Sequence, residues 1–387
     1  MAKLIGNAPN QISTNGDLGS MAFEDRTNYI TKNNPVHQPY RNIIINGDMS
    51  IAQRGTSVSG ITSAAAGTVH AVDRMALALS SAGTWTVSQE TDVPSGQGFA
   101  KSLKFLCTTN EPSISAGGFI TFMQKFEGQN LQYLKFGTSN AQSLTASFWI
   151  KSSKTGNFVV ELADRDNSIY IAELVSINTA NTWEKKTVTF QGNTANSFNN
   201  DNGNSLDLQL WFGTGTTYSS GTYSGVWQTS QSRRASGLDL QLQDTTNANV
   251  YLTGVQLEAG TTASDFEFLP VDVNLARCQR YFYTEDNSDT YHALANGHIN
   301  SATLFIGVIH LPVSLRSSPS FNTSGSFYVT SGGTDFTVSA NSISDSTGTN
   351  LNTIQVRSTI SGATAGNGAF LRNNNDSNAK FQLDAEL

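Results

Sequence analysis

Apolar and polar positions alternate along most of the chain. In LTASFWIKS, residues 144–152, the side chains of Leu144, Ala146, Phe148 and Ile150 share one face, and Thr145, Ser147, Trp149 and Lys151 share the other. A period of two is that of a pleated strand with one face in a core. Comparable runs return at 43–45, 69–79, 85–89, 99–107, 119–126, 158–162, 169–174, 186–190, 206–212, 238–242 and 250–257. Gly, Asn, Ser and Pro turns bound them, and no long amphipathic helix interrupts them. So many strands between residues 41 and 270 predict a jelly-roll β-sandwich of two facing sheets.

Gly260 ends the last of these runs, and the DFEFLP turn at 265–270 then offers Phe266, Phe268 and Leu269 before Pro270 redirects the chain. Asp272 or Asn274 can cap a short segment in which Leu275, Cys278, Gln279 and Phe282 recur at helical spacing, so 271–283 reads as a short helical linker. A smaller C-terminal β-sandwich is expected over 284–387, with strands at 304–311, 327–330, 335–339, 353–358, 368–372 and 380–384. The nearly unbroken apolar run 304–311 predicts a strand buried on both faces or lying at a subunit contact. The whole fold is therefore expected to be all-β. Residues 1–40 differ, with many turn formers and only scattered apolar side chains such as Leu4, Ile5, Leu18, Met21 and Phe23. Such a segment closes no core of its own, so it is either disordered or extended against another surface. No heptad repeat occurs, which leaves β-domain faces to hold any oligomer.

Charged residues make up 14% of the chain, well under the roughly 25% of an average globular protein. The net charge of −7 and the lack of a basic cluster argue against nucleic acid as a partner. An exterior of hydroxyls and amides suits hydrogen bonding to neutral polar surfaces such as sugars, and it is also common in β-rich extracellular proteins. Cys107 and Cys278 fall on apolar faces, far apart in sequence, and read as buried free thiols, which fits assembly in a reducing cytoplasm. MAKLIGNAPN lacks the apolar core of a signal peptide and no window approaches a membrane span, so neither secretion nor membrane insertion is expected.

The alternation places two tryptophans away from the core. Trp149 lies opposite the Leu144 to Ile150 stripe, and in LDLQLWF Trp211 falls beside Asp207 and Gln209. An aromatic ring among amides and carboxylates is a platform for the apolar face of a sugar. The competing outcomes are cover by a long loop, burial against a symmetry mate, and plain strand preference. Trp183 precedes a strand and is expected to plug its end. The connection 212–234 carries Tyr218, Tyr223, Trp227, Arg233 and Arg234 among Gly, Ser and Thr, the composition of an adaptable recognition loop. Its aromatics have the alternative of packing down onto the sandwich. His37, His70, His292, His298 and His310 show no metal-ligand spacing, and neither a GxSxG elbow nor a P-loop is present. Asp164 and Asp166 read as a solvated turn. Neither a cofactor nor a metal is assigned. Asp- and Asn-rich turns leave structural calcium open, without a ligand set specific enough to name.

Several stretches together resemble a family of phage virion proteins: RNIIINGDMSIAQRGTS at 41–57, VDRM at 72–75, LTASFWIKS, NTWEKKTVTF at 181–190 and the segment 250–284. These are tail-fibre and other fibre or spike proteins, common in phages of marine bacteria, with a jelly-roll domain similar to carbohydrate-binding modules. APNQISTNGDLGSMAFED, at 8–25, resembles the leader that docks such proteins to the particle or to neighbouring subunits. The resemblance implies a non-enzymatic homotrimer on the virion, assembled in the host cytoplasm. Its partners would be other phage tail or head proteins, through the leader, and host-surface glycan, through the β-domains. A head-decoration or tail-adaptor protein without host contact is the alternative. A glycan depolymerase is less expected, because glycan-cleaving fibres place their acids on a long parallel β-helix and no rung repeat is found here.

Overall fold

The alternating runs pair into strands β1 (Ser57–Ile61), β2 (Ala64–Val72), β3 (Met75–Ser80), β4 (Thr84–Glu90), β5 (Ser102–Thr109) and β6 (Phe119–Glu127). They continue as β7 (Leu144–Ser152), β8 (Gly156–Asp164), β9 (Ile169–Ile177), β10 (Glu184–Phe190), β11 (Asn204–Thr214) and β12 (Asn249–Ala259). A computed structural model describes residues 40–285, 291–344 and 351–387. The expected attachment segment, with Leu4, Ile5, Leu18, Met21 and Phe23, lies outside the described residues up to Tyr40. All elements named here belong to the unit Asn42–Leu387.

The first sheet has the order β1-β4-β5-β12-β7-β10 and the second β2-β3-β6-β11-β8-β9. Their facing sides bury Trp85, Phe105, Phe122, Phe148, Phe158, Phe190 and Phe212 in one core. Phe105 meets Phe122 edge-on at 5.4 Å, and truncating such a ring to Ala typically costs about 3–5 kcal/mol. The fold is an all-β jelly-roll sandwich followed by a smaller β-sandwich.

Three local expectations give way. The run 69–79 is a hairpin, β2 and β3, because the chain turns at Asp73 and Arg74, where Arg74 adopts φ 68°. Residues 43–45 form no strand, and bends begin at Ile44, since the side chains of Asn42 and Gln124 take up the backbone amides of Ile44 and Ile45. The run 238–242 contributes buried Leu238, Leu240 and Leu242 to a covering loop and forms no strand. Strand β1 was illegible because SVSGI is mostly exposed and carries no apolar stripe.

The helix Val271–Gln279 follows Pro270, which leads it in without a side-chain cap. The expected cap Asn274 instead bonds the 46–50 turn, accepting from the Asn46 amide at 3.2 Å and donating to Ser50 Oγ at 3.2 Å. Next come β13 (Phe282–Glu285), β14 (Ala293–Ser301), β15 (Leu304–His310), β16 (Ser320–Ser324) and β17 (Phe327–Ser331). Strands β18 (Thr334–Thr337), β19 (Ala340–Ser344), β20 (Thr353–Thr359), β21 (Gly368–Asn373) and β22 (Lys380–Asp384) complete the chain. Sheet β13-β22-β16 faces sheet β18-β17-β21-β14-β15-β20-β19 across a core that holds Ile299, Phe305, Phe327, Val356, Leu371 and Phe381. Strand β15 is not buried on both faces: Phe305 and Ile309 point into the core, while Leu304, Ile306 and Val308 face outward and are partly exposed.

The two sandwiches meet through ions and rings. Arg280 forks onto Glu127 at 2.8 and 2.6 Å. Arg74 lies 3.5 Å over the Tyr281 ring and pairs with Glu386. Both cysteines are buried free thiols, Cys278 beside Tyr281 at this junction and Cys107 in the main core. Burial drives the His70 pKa from 6.5 down to about 4, with Arg54 and Arg74 adding to the effect against the pull of Glu386. For Glu386 burial pushes upward, but Arg74, His70 and Arg54 outweigh it and bring the carboxyl from 4.5 down to about 2. Both groups therefore bind protons more readily in the unfolded chain, so stability falls as pH drops from 6.5 toward 2. Asp73, raised by burial, opposes this in part. Thermal melts across that range should show a falling midpoint, and His70→Gln should flatten the upper part of the slope. A midpoint that rises on acidification would refute the assignment.

Candidate functional site

The outer face of the first sheet is built by register. On β7, Trp149 lies opposite Lys185 of β10 and Thr253 of β12, and Lys151 lies opposite Tyr251. Tyr251 in turn lies opposite Lys104 of β5. Side chains two apart on a strand are about 7 Å apart on one face, so Trp149, Tyr251 and their lysines form one continuous surface. Trp183, just before β10, joins it. Its ring meets Tyr251 edge-on at 6.2 Å, and its indole N–H donates to Asp92 Oδ1 at 3.0 Å. The ammonium of Lys151 pairs with Asp92 and sits 4.4 Å from the Tyr251 centroid and 5.5 Å from that of Trp183. Partial burial works to raise the Asp92 carboxyl, but the hydrogen bonds from Lys151 and Trp183 and the charges of Lys151 and Lys104 hold it below its ordinary value.

Beside this surface Trp149 lines a cleft of about 180 Å³ with Ser147, Lys185, Asp265 and Phe268. Phe99, Phe266 and Phe268 pack as a triad at 4.8 to 5.1 Å, leaving Phe268 50% exposed at the rim. Gly254 makes the triad possible. It sits in the β12 bulge at φ 62°, and a Cβ there would come within 2.5 Å of the Phe99 ring.

The second sheet keeps no such surface. Over β8, β9 and β11 its outer face lies under the 215–238 loop, and Trp211 is 2% exposed. Trp211 is therefore closed to a ligand: Phe119 and Tyr218 pack on its ring, and its N–H donates to Glu161 Oε2 at 3.0 Å. Arg234 is also buried and forks onto Glu161 with two bonds of 2.8 Å. Its guanidinium lies 4.2 Å from the Tyr170 centroid and 4.9 Å from that of Trp211. Tyr218 belongs to the same packed group. Of the other loop residues, Tyr223 is 41% exposed and donates its hydroxyl to Glu173, while Arg233 is exposed. Trp227 abuts Phe136 and donates to Gln191 O at 2.9 Å.

Trp149 is thus the sequence candidate that lies partly exposed on the outer face of the first sheet. Trp183 does not plug a strand end but lies partly exposed in the aromatic group. Tyr251, Lys151, Asp92 and Phe268 were missed. Phe266 and Phe268 had a signal in the apolar DFEFLP turn, whereas Asp92 and Trp183 lie 91 residues apart and share no local pattern. Among the described residues no group of three or more His, Cys, Asp or Glu side chains could hold a metal, and no helix is long and apolar enough to cross a membrane.

No family model and no curated protein matches the chain. Among solved structures it is similar to the enzymatically active domain of Bacteriophage CBA120 tailspike protein 4, at 13% identity and a TM-score of 0.31, covering 57% of this chain and 22% of that one. It is also similar to a family 11 carbohydrate-binding module from Clostridium thermocellum in complex with a β-1,3-1,4-mixed-linked tetrasaccharide, at 9% identity and a TM-score of 0.24, covering 54% of this chain and 99% of that one. A family 16 carbohydrate-binding module shows 18% identity and a TM-score of 0.22 over 44% of this chain and 84% of that one. Likenesses at such scores carry no argument about ligand or activity.

The closed face depends on the Arg234 and Glu161 pair. Glu161→Ala leaves a buried guanidinium without its carboxylate, so it should destabilise the chain by about 3–5 kcal/mol in denaturant titrations. Trp211 fluorescence should shift to the red as the loop loosens. Unchanged stability would show that the pair does not hold the loop.

Proposed function

We propose that this chain is a non-catalytic, glycan-binding protein of a phage virion, a tail fibre or spike. The observation that carries the binding reading is the grouping of three partly exposed rings, Trp149 and Tyr251 on one sheet face with Trp183 beside them, among Lys104, Lys151 and Asp92. Rings of this kind take the C–H face of a sugar while neighbouring polar groups bond its hydroxyls. The place on the virion is supported by the sequence resemblance, with residues 1–40 attaching the chain to other phage proteins. A homotrimer would present several weak sites at once and gain avidity.

The test is affinity electrophoresis of the full chain in gels that contain bacterial surface polysaccharides. Trp149→Ala and Trp183→Ala should each weaken retardation by about fivefold or more, the loss usual for a central aromatic anchor, with melting behaviour unchanged. A chain that no polysaccharide retards, or variants that bind like the parent, would reject the reading. Release of reducing sugar would reject its non-catalytic part. Immunogold labelling of purified particles should place residues 284–387 on an external appendage, and unlabelled particles would reject the location.

A further inference from the structure

A second cleft, of about 430 Å³, opens where the three-stranded sheet meets the edge of the jelly-roll. Its size and its place between two sandwiches are those of ligand sites. One wall is the face of sheet β13-β22-β16 turned away from the smaller core. Register fixes what that face displays. Asn322, Gln382 and Thr284 lie opposite one another in one row across the three strands, and Ser320, Asp384 and Phe282 form the next. Among the described residues the carboxamides of Asn322 and Gln382 have no hydrogen-bond partner. Ser320 adds a hydroxyl to the lining. Asn322 is exposed and Gln382 half-buried, so both amides remain available as donors and acceptors at the cleft surface.

The opposite wall decides the ligand's charge. Arg54 is the cation at hand, but its guanidinium is committed to Asp384 at 3.1 Å and Glu386 at 3.4 Å and lies 3.7 Å from the Phe282 centroid. His70 is buried and uncharged at neutral pH, its pKa pushed down to about 4. Among the described lining residues no open positive charge remains to attract an anion. Val58 and Val69 supply a small apolar patch across from the amides. Free amides, a hydroxyl and a shared carboxylate facing an apolar strip match a compact ligand that is rich in hydroxyls and carries no charge.

We infer that this cleft is a second recognition site, separate from the open sheet face, and that it takes one neutral saccharide unit. The hydroxyls of that unit bond Asn322, Gln382 and Asp384, and its C–H face rests on Val58 and Val69. One chain then holds two sugar sites of different character, an extended aromatic surface on the first sheet and a shallower cleft of mixed polarity at the junction.

Saturation-transfer NMR tests this on the full chain carrying Trp149→Ala and Trp183→Ala, which silence the open face. The probes are methyl glycosides of glucose, galactose, mannose and N-acetylglucosamine. At least one should receive saturation. Adding Asn322→Ala and Gln382→Ala should weaken it by about tenfold or more, as expected for two lost hydrogen-bonding side chains. Asn322→Trp, which fills the cleft from an exposed position, should abolish binding while the melting midpoint stays that of the parent. Absence of saturation with every glycoside, or binding indifferent to both the alanine pair and the tryptophan, would overturn the inference. Neither outcome depends on polysaccharide binding at Trp149, which the gel assay reads by itself.

Discussion

A strand sends successive side chains to opposite faces, so every sheet that gives one face to a core must do something with the other. That constraint orders this molecule. Two six-stranded sheets share a core, and their two outer faces are treated differently. The second sheet receives a lid from its own chain, the 215–238 loop. The first is covered in part by the segment 264–267, which bonds Gln256 and Glu258, and leaves Trp149, Trp183 and Tyr251 partly exposed beside it.

Closing the second face required burying charge. Glu161 is fully buried and would be strongly unfavourable alone, so Arg234 comes down from the loop, bonds both carboxylate oxygens and stacks between Tyr170 and Trp211. A buried pair of this kind gains little net stability over an apolar contact of the same shape, because desolvation offsets the attraction. What it supplies is position: a planar fork and two flanking rings accept one seating of the loop. The junction with the smaller sandwich follows the same logic. Arg280 on Glu127 and Arg74 on Glu386 tie the units through oriented ions with little shared apolar core.

The strand pattern was legible because the apolar stripe marks the core side: Leu144, Ala146, Phe148 and Ile150 are all interior, while on the other side Trp149 and Lys151 are partly exposed and Thr145 and Ser147 are buried under later chain. Alternation also put Trp211 on the correct, outer face, but it carries no information on what lies over that face. Only the fold shows that Arg234 and Tyr218 close it. Polar strands escaped for the converse reason. In SVSGI, SFNTS and ANSIS hydrogen-bonded edges and turns, not apolar stripes, make the strand. The open site was half legible. Trp149 could be named from period two, but Asp92, Trp183 and Tyr251 come from three distant stretches joined by pairing register and a loop.

That assembly bears on how the open face could work. Lys151 stands between the Tyr251 and Trp183 rings and is tethered to Asp92, which also accepts from the Trp183 indole. The Trp183 ring is thus held through its indole N–H, and both rings carry a lysine ammonium over a face, Tyr251 two of them. A ligand that settles on such a surface freezes few side-chain rotors, so less of its contact energy is lost to ordering than on a mobile loop. Area and hydrogen bonds at a shallow sheet face are nonetheless modest, and a single face of this kind binds weakly. Strength then has to come from repetition, either of chains in an assembly or of sites along one chain. The rigid sandwich serves both, because fixed spacing lets a second contact form at high effective concentration once the first is made.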